Sequence, residues 1–377
     1  MISYWEKSFF TKYDLIVIGS GISGLFSALS FNKLHPKAKI AILERDIFPN
    51  GASTKNAGFA CFGSVSELIE DSKKMSEDSL INLVEQRIKG LELLKKTISN
   101  KHLDLKNYGG YELFFSNNQK LKFDIEKCNE LLFSVFKKKV YSFKNEKIES
   151  LGLSKKLVSQ LVFNPFESQI NTGSTIYQLQ KLACKNGIKI ISGAKVENFN
   201  LDSNGHLINV INNKSMITFS SKYLSICSNA FASQWFPNYD IQPGRGMVVI
   251  TKPIKNLNLK GCFHYNKGYY YFRNFQNRII FGGGRQLDLK KENTTDFGIN
   301  QKIKRSLIHD LNSIILPNKK YELDMEWSGI MAFGKSKQPI IKKIGENAVL
   351  GVRLGGMGIA LGSLVGKRVS EMILDKV

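Results

Sequence analysis

Along the chain, hydrophobic and polar positions change period several times, and each change predicts an element. Asp14 to Ile18 is a short apolar run ending at glycine, the pattern of a buried parallel strand. Ile22 to Leu34 follows with helical spacing, and Lys39 to Leu43 is a second strand closed by Glu44. Pro49 to Ser64 is a loop of small residues suited to close backbone approach. Ser64 and Glu67 form a capping-box pattern, and Ile81, Val84, Ile88, Leu91, Leu94 and Ile98 then repeat at helical spacing, predicting a helical pair over 65–100.

Strands are predicted at Gly110 to Phe115 and Leu157 to Phe163. Thr175 to Asn186 reads as an amphipathic helix stopped by Gly187, with strands at Ile188 to Ser192, Ala194 to Phe199 and Lys222 to Cys227. From Gly246 to Phe333 the chain turns to strands and turns: Met247 to Thr251, Tyr269 to Asn274, Arg278 to Gly282 and Met325 to Phe333, with one helix at Lys302 to Ile315. It ends in a strand, Ala348 to Val352, a glycine turn, Gly355 to Gly358, and an apolar-faced helix, Ile359 to Leu374.

The order strand, helix, strand places Gly19-Ser20-Gly21-Ile22-Ser23-Gly24 directly between the first strand and its helix. In such a GxGxxG turn the first glycine allows the tight turn, the second admits a pyrophosphate and the third lets the helix pack on the strand. Unpaired N–H groups at the helix N-terminus favour phosphate. Glu44, with Arg45 after it, ends the second strand where a ribose is recognised. This predicts a dinucleotide site without distinguishing NAD from FAD.

The segment Gly51-Ala52-Ser53-Thr54-Lys55-Asn56-Ala57-Gly58-Phe59 resembles the second signature of the D-amino-acid oxidase and glycine oxidase superfamily. The resemblance implies that Ala52, Ser53, Thr54 and Asn56 run along the FAD pyrophosphate and ribityl chain, with Ala57, Gly58 and Phe59 beside the ring. Further stretches extend it. Gly193 to Val196 is similar to the strand whose valine contacts the adenine, and Ser228 and Asn229 fall in the second small-residue turn near the cofactor. Leu354, Gly355, Gly356, Met357, Gly358 and Ile359 resemble the C-terminal turn and helix that face the flavin pyrimidine edge. Pro243-Gly244-Arg245-Gly246 matches the turn into the substrate sheet.

The resemblance implies a doubly wound α/β FAD-binding lobe, residues 13–100, 150–240 and 335–377, and an antiparallel-sheet substrate lobe, 101–149 and 241–334. It implies FAD-dependent oxidation of an amine or amino-acid-like C–N bond by hydride transfer to flavin N5, with O2 or another electron acceptor. Tyr270 falls at the pocket tyrosine of glycine oxidases, so the face bearing Tyr270, Phe272 and Asn274 is expected to line the pocket. The two arginines that hold the substrate carboxylate in those enzymes are replaced here by Met331 and by a position near Gly356. Arg273, Arg353 and Lys55 are candidate substitutes, and Met331 also admits a substrate without a carboxylate. Two other readings stay open: an enzyme of this fold that modifies a tRNA base, and a flavin-binding protein without turnover.

Composition narrows the partners. At 377 residues the chain is long enough for two lobes, and 42% hydrophobic with 23% charged residues is ordinary for a globular protein. The formal charge of +22 is not ordinary. Arginine is scarce, however, and the lysines are spread from Lys7 to Lys376, unlike the concentrated arginine-aromatic footprint of a nucleic-acid site. No run approaches the roughly 20 apolar residues of a membrane helix. The five cysteines have no disulfide or zinc spacing, and Cys61, just beyond the Ala57-Gly58 pair, reads as a small buried thiol, with a covalent flavin link through a Cys or His as the open alternative. No metal site is indicated, none of the five histidines falls in a catalytic pattern, and reduced thiols predict a cytoplasmic protein.

Overall fold

The computed structural model describes residues 2–212 and 215–375, so Lys376, the last of the spread lysines, lies outside it. Near the start, Lys12–Ile18 pairs in parallel with Ile40–Leu43 on one side and with Ser215–Ile226 on the other. Leu15, Ile16 and Val17 are fully buried, because helices cover the face that bears Leu15 and Val17 while the segments around Val196, Ile208 and Ala230 cover the face that bears Ile16. Lys189–Ile191 extends one edge in parallel, and Ala348–Val352 extends the other beyond Ser215–Ile226. This is the expected doubly wound lobe.

The predicted strand Lys222 to Cys227 is the end of a longer one. Its earlier half, from Ser215, pairs antiparallel with His206–Asn212, which in turn pairs with Lys195–Asn200. Polar residues such as Asn209 and Thr218 on that half-exposed ribbon hide its period from a search for apolar runs.

A second sheet of eight strands runs in the order Leu323–Phe333, Gln242–Thr251, Arg278–Gly283, Tyr270–Phe275, Cys262–Tyr265, Gly110–Phe114, Gln160–Asn164 and Ser142–Phe143. All its pairings are antiparallel except that of Cys262–Tyr265 with Gly110–Phe114. Gln160–Asn164 belongs to this second sheet, although the sequence division puts it in the first lobe; its register with Gly110–Phe114 decides the matter. Pro243-Gly244-Arg245-Gly246, expected as a turn, lies inside the strand Gln242–Thr251. Gly244 is needed there because a Cβ would stand 2.5 Å from the Phe333 ring.

The helical pair forms as Val65–Ser72 and Glu77–Thr97, and the Ser64 N–H donates to Glu67 at 3.1 Å. A helix over Lys120–Phe136, absent from the sequence reading, packs Leu121, Ile125, Cys128 and Leu132 against this pair. Its lysine-rich start and many exposed positions mask the stripe.

The C-terminal helix, Gly358–Ile373, packs along the dinucleotide helix Ile22–Leu34. Contact is backbone-close at Gly366, where a Cβ would run into the Ser23 carbonyl and stand 2.7 Å from Phe26 Cβ. Gly366→Val should therefore destabilise the protein by about 2–3 kcal/mol, the cost of overpacking a rigid contact. Urea unfolding would show this as a lower midpoint; an unchanged midpoint would mean the helices are free to separate.

Candidate functional site

A cavity of about 630 Å³ opens where the C-terminal ends of the parallel strands meet the second sheet. Its first wall is the glycine turn. Gly19 has φ +102°, a region that side chains avoid, and a Cβ there would stand 3.0 Å from the Cys227 carbonyl oxygen. A Cβ on Gly21 would stand 2.9 Å from Ser53 Oγ. Gly19, Gly21, Ile22 and Ser23 line the cavity; Gly24 lies behind them, where a Cβ would strike the Gly19 carbonyl.

Glu44 is buried, and its Oε2 accepts from Ser20 Oγ at 2.6 Å and from the Ser20 N–H at 3.1 Å. The carboxylate is thus fixed at the cavity edge beside Arg45, whose guanidinium stacks on Phe231 at 3.7 Å. Val196 and Ala194 continue this wall, and the Ala194 N–H donates to the Glu44 carbonyl at 2.8 Å.

The loop Gly51 to Phe59 crosses the cavity and is pinned at several atoms. The Ile22 N–H donates to Ser53 Oγ at 3.0 Å. Asn56 Nδ2 donates to the Ala52 and Ser53 carbonyls at 3.1 and 3.0 Å, and its Oδ1 accepts from the Gly58 N–H at 2.8 Å. Ala52, Ser53, Asn56, Ala57, Gly58 and Phe59 all face the cavity. Thr54 does not: its hydroxyl points back to the Pro49 carbonyl at 2.6 Å and stabilises the bend.

Ser228, Asn229 and the run Leu354 to Ile359 close the cavity from the C-terminal side. Gly355 and Gly356 hold φ of +55° and +81°, turning the chain so that the N-terminus of Gly358–Ile373 faces inward. The hydroxyls of Ser23 and Ser228 are buried without a hydrogen-bond partner. Buried polar atoms seek partners. Together with the glycine cradle and the fixed Glu44, these orphans match a dinucleotide with phosphates and hydroxyls to offer, so the residues present fit FAD.

The wall contributed by the second sheet differs from the sequence reading at three residues. Tyr270 points into the core of the second sheet, stacked on Tyr265 with ring centroids 4.6 Å apart. The opposite face of that strand lines the cavity, through Tyr269 and Tyr271. The choice is steric: Gly282, across the sheet, leaves room for the Tyr271 ring, which would lie 2.7 Å from a Cβ there.

Arg273 is buried behind the flavin loop with its guanidinium already engaged. It donates to the Ala57 carbonyl, to the Ile170 carbonyl at 3.0 Å and to Gln169 Oε1 at 3.2 Å. Arg353 is equally committed, to Asp240 at 2.9 Å and to the Gln338 carbonyl. Neither lines the cavity. Met331 does, with its sulfur 3.7 Å from the Cβ position of Gly356.

Residues the sequence reading left out complete this wall. Arg285 lines the cavity with its guanidinium stacked 4.0 Å from the Phe333 ring centroid, and its Nε is buried without a partner. Burial, partly offset by Tyr269 and Glu292, lowers its pKa. Burial pushes Tyr271 up to about 12, so its hydroxyl remains protonated at physiological pH. His264 lines the cavity edge-on to Phe59 and stands 3.2 Å from Glu167. Burial alone would depress His264, yet the Glu167 charge prevails and raises it.

Cys61, Glu167 and His264 also bring potential ligand atoms within 4.8 Å of one another, a convergence of three distant segments that no spacing rule detects. The rim is charged: Lys267 pairs with Glu70 at 3.2 Å and Lys337 with Asp71 at 2.7 Å.

Gly58 has φ +79°, and a Cβ there would collide with the Ile170 carbonyl and stand 2.6 Å from Arg273 Nη2. Gly58→Ala is expected to displace the loop and lower FAD retention at least about tenfold, with near-native circular dichroism, since the strain of about 1–3 kcal/mol is local. Full flavin content after gel filtration would contradict this.

Comparison with known proteins agrees with the geometry. The chain is 22% identical to the probable oxidoreductase OrdL of Haemophilus influenzae, over 96% of this chain and 83% of that one. Its fold is similar to that of glycine oxidase from Geobacillus kaustophilus, with TM-score 0.76 and 18% identity, covering 97% and 96% of the two chains. L-proline dehydrogenase from P. horikoshii gives TM-score 0.74 at 20% identity, covering 97% and 94%. Residues 14–372 match the DAO family of FAD dependent oxidoreductases, and the chain belongs to that family.

Proposed function

We propose that this enzyme oxidises the C–N bond of an amine that carries an anionic group, a carboxylate above all, anchored by Arg285. The observation that carries the reading is the Arg285 guanidinium: it faces the cavity, rests on Phe333, and leaves Nε without a partner. A half-buried cation with donors to spare is a receptor for an anion, and a bidentate arginine–carboxylate contact fixes orientation as well as position. The glycine-oxidase-like arginine positions are occupied by apolar or small residues, and Arg273 and Arg353 are spent on backbone; Lys55 also lines the cavity, and Arg285 is favoured over it because a planar guanidinium binds a carboxylate bidentately.

Bound FAD, held by the glycine turn, Glu44 and the Gly51–Phe59 loop, would supply the two-electron sink for oxidation of the carbon beside the substrate nitrogen. The chain's own work is placement. Met331, Tyr271 and Phe59 form an apolar slot, with Tyr271 edge-on to Phe59 at 5.7 Å, and exclude water from the reacting carbon. Tyr271 stays neutral and can donate or accept one hydrogen bond. The N-terminus of Gly358–Ile373 brings a positive dipole end to the cavity floor.

In this reading the first lobe, built on the parallel sheet, binds the cofactor, and the second sheet, Gln160–Asn164 included, covers the substrate. O2 or another small acceptor completes the cycle. Four of the five free cysteines are buried, in keeping with a cytoplasmic, reducing setting.

Arg285→Leu should raise KM for an amino-acid substrate about 10- to 100-fold, the loss of roughly 1.5–3 kcal/mol from a charged hydrogen bond, while an uncharged amine of similar size is little affected. Stopped-flow reduction of the enzyme-bound flavin under anaerobic conditions separates these cases. Equal slowing for charged and uncharged amines would reject the anchor.

A further inference from the structure

The helix Tyr4–Phe10 buries none of its residues, yet it carries four aromatic side chains. Tyr4, Trp5, Phe9 and Phe10 are between 55 and 75% exposed. Trp5 and Phe9 lie one turn apart with ring centroids 6.5 Å apart, and Tyr4 meets Trp5 edge-on at 5.7 Å. The helix is held in place. Ser3 and Glu6 cap it reciprocally at 2.6 and 3.1 Å, and Lys39 Nζ donates to the Phe9 carbonyl at 2.7 Å. The aromatics are therefore displayed on a fixed element, and folding of the described chain leaves their apolar area in water, where a contiguous patch marks an interaction site.

Their surroundings are basic. The helix sits at the base of the parallel sheet, where strands begin and covering helices end. Lys12 and Lys39 flank strand starts, and Lys189 opens its strand with its ammonium 5.0 Å over the Phe10 ring. Lys33 and Lys185 occupy the last turns of two covering helices, and Lys37 lies in the turn after the first. The nearby acids are engaged: Glu6 in the cap, and Asp14 by the Lys39 N–H at 2.7 Å. Lysines Lys39 and Lys189 are close enough that, after burial, the Lys189 charge further depresses Lys39.

Tryptophan and tyrosine beside lysines whose stems can lie along apolar surface is the chemistry of a lipid headgroup boundary. A second copy of the chain in a two-fold contact would set these same lysines against each other. The cofactor cavity opens at the opposite ends of the strands, so occupation of this base leaves it free.

We propose that the Tyr4–Phe10 helix and its lysine collar seat the enzyme peripherally on an anionic lipid surface, independently of the substrate assignment. The test is co-sedimentation of the FAD-loaded protein with vesicles of phosphatidylcholine alone, or with about one-third phosphatidylglycerol, at low and high salt. The expected result is binding to the anionic vesicles only, released by salt, with a blue shift in tryptophan emission that Trp5→Phe removes. Trp5→Ser with Phe9→Ser should weaken binding at least about tenfold with flavin absorbance and melting midpoint unchanged. Lys37→Glu with Lys189→Glu should weaken it as well. Absence of binding at low salt, equal binding to neutral vesicles, or an unaffected aromatic variant would overturn the proposal. So would a variant that turns a dimer into a monomer without any vesicle binding, which would assign the helix to a second copy.

Discussion

Arg273 holds the two halves of this protein in register. Its guanidinium reaches from the second sheet to the carbonyls of Ala57 and Ile170 and to Gln169, grasping the loop that crosses the cavity. A buried guanidinium has no water to fall back on, so these acceptors are obligatory. Burial lowers its pKa to about 10, which still leaves it charged at neutral pH. The Trp327 indole adds a second tie, donating to the Lys55 carbonyl at 2.8 Å. The loop is therefore fastened to the dinucleotide helix through Ser53 and to the second sheet through Arg273 and Trp327. The cavity exists because that loop cannot sag into it.

The division of labour among the arginines follows. Arg273 and Arg353 are drawn into backbone carbonyls and Asp240, where they stabilise turns that carry positive φ, including that of Arg353 itself at +65°. Arg245 is paired with buried Glu292 at 2.9 Å. Arg285 is stacked on Phe333 and its buried Nε has no partner among the described residues; under the proposed function these donors receive the substrate's anionic group. A charge in a partly dry cavity costs desolvation, which Tyr269 and Glu292 offset only in part.

Much of this was legible in the sequence where backbone geometry demands a residue type. Gly19, Gly21, Gly24, Gly58 and the Gly355-Gly356 turn are all places where a Cβ would clash or φ is positive, so their pattern reported the first lobe and its cavity. Glu44 was legible from its place at a strand end. The second lobe was harder. Tyr269, Tyr270 and Tyr271 have the same composition on both faces, so period two could not say which looks inward; Gly282, distant in sequence, decides it by making room for Tyr271. Arg285 belongs to no motif, and its place on the cavity wall is set by Phe333 beneath it, distant in sequence. The antiparallel ribbon from His206 and the helix Lys120–Phe136 were hidden because polar exposed faces dilute the period.

Where an anionic ligand sits in the cavity decides the role of Arg285. A crystal structure of the FAD-loaded protein with a non-oxidisable carboxylate, such as a 2-hydroxy acid analogue of an amino acid, measures it. The prediction is a carboxylate about 2.7–2.9 Å from the Arg285 guanidinium, with the ligand body between Tyr271, Met331 and the flavin loop. A carboxylate bound elsewhere in the cavity, with Arg285 untouched, would contradict the account.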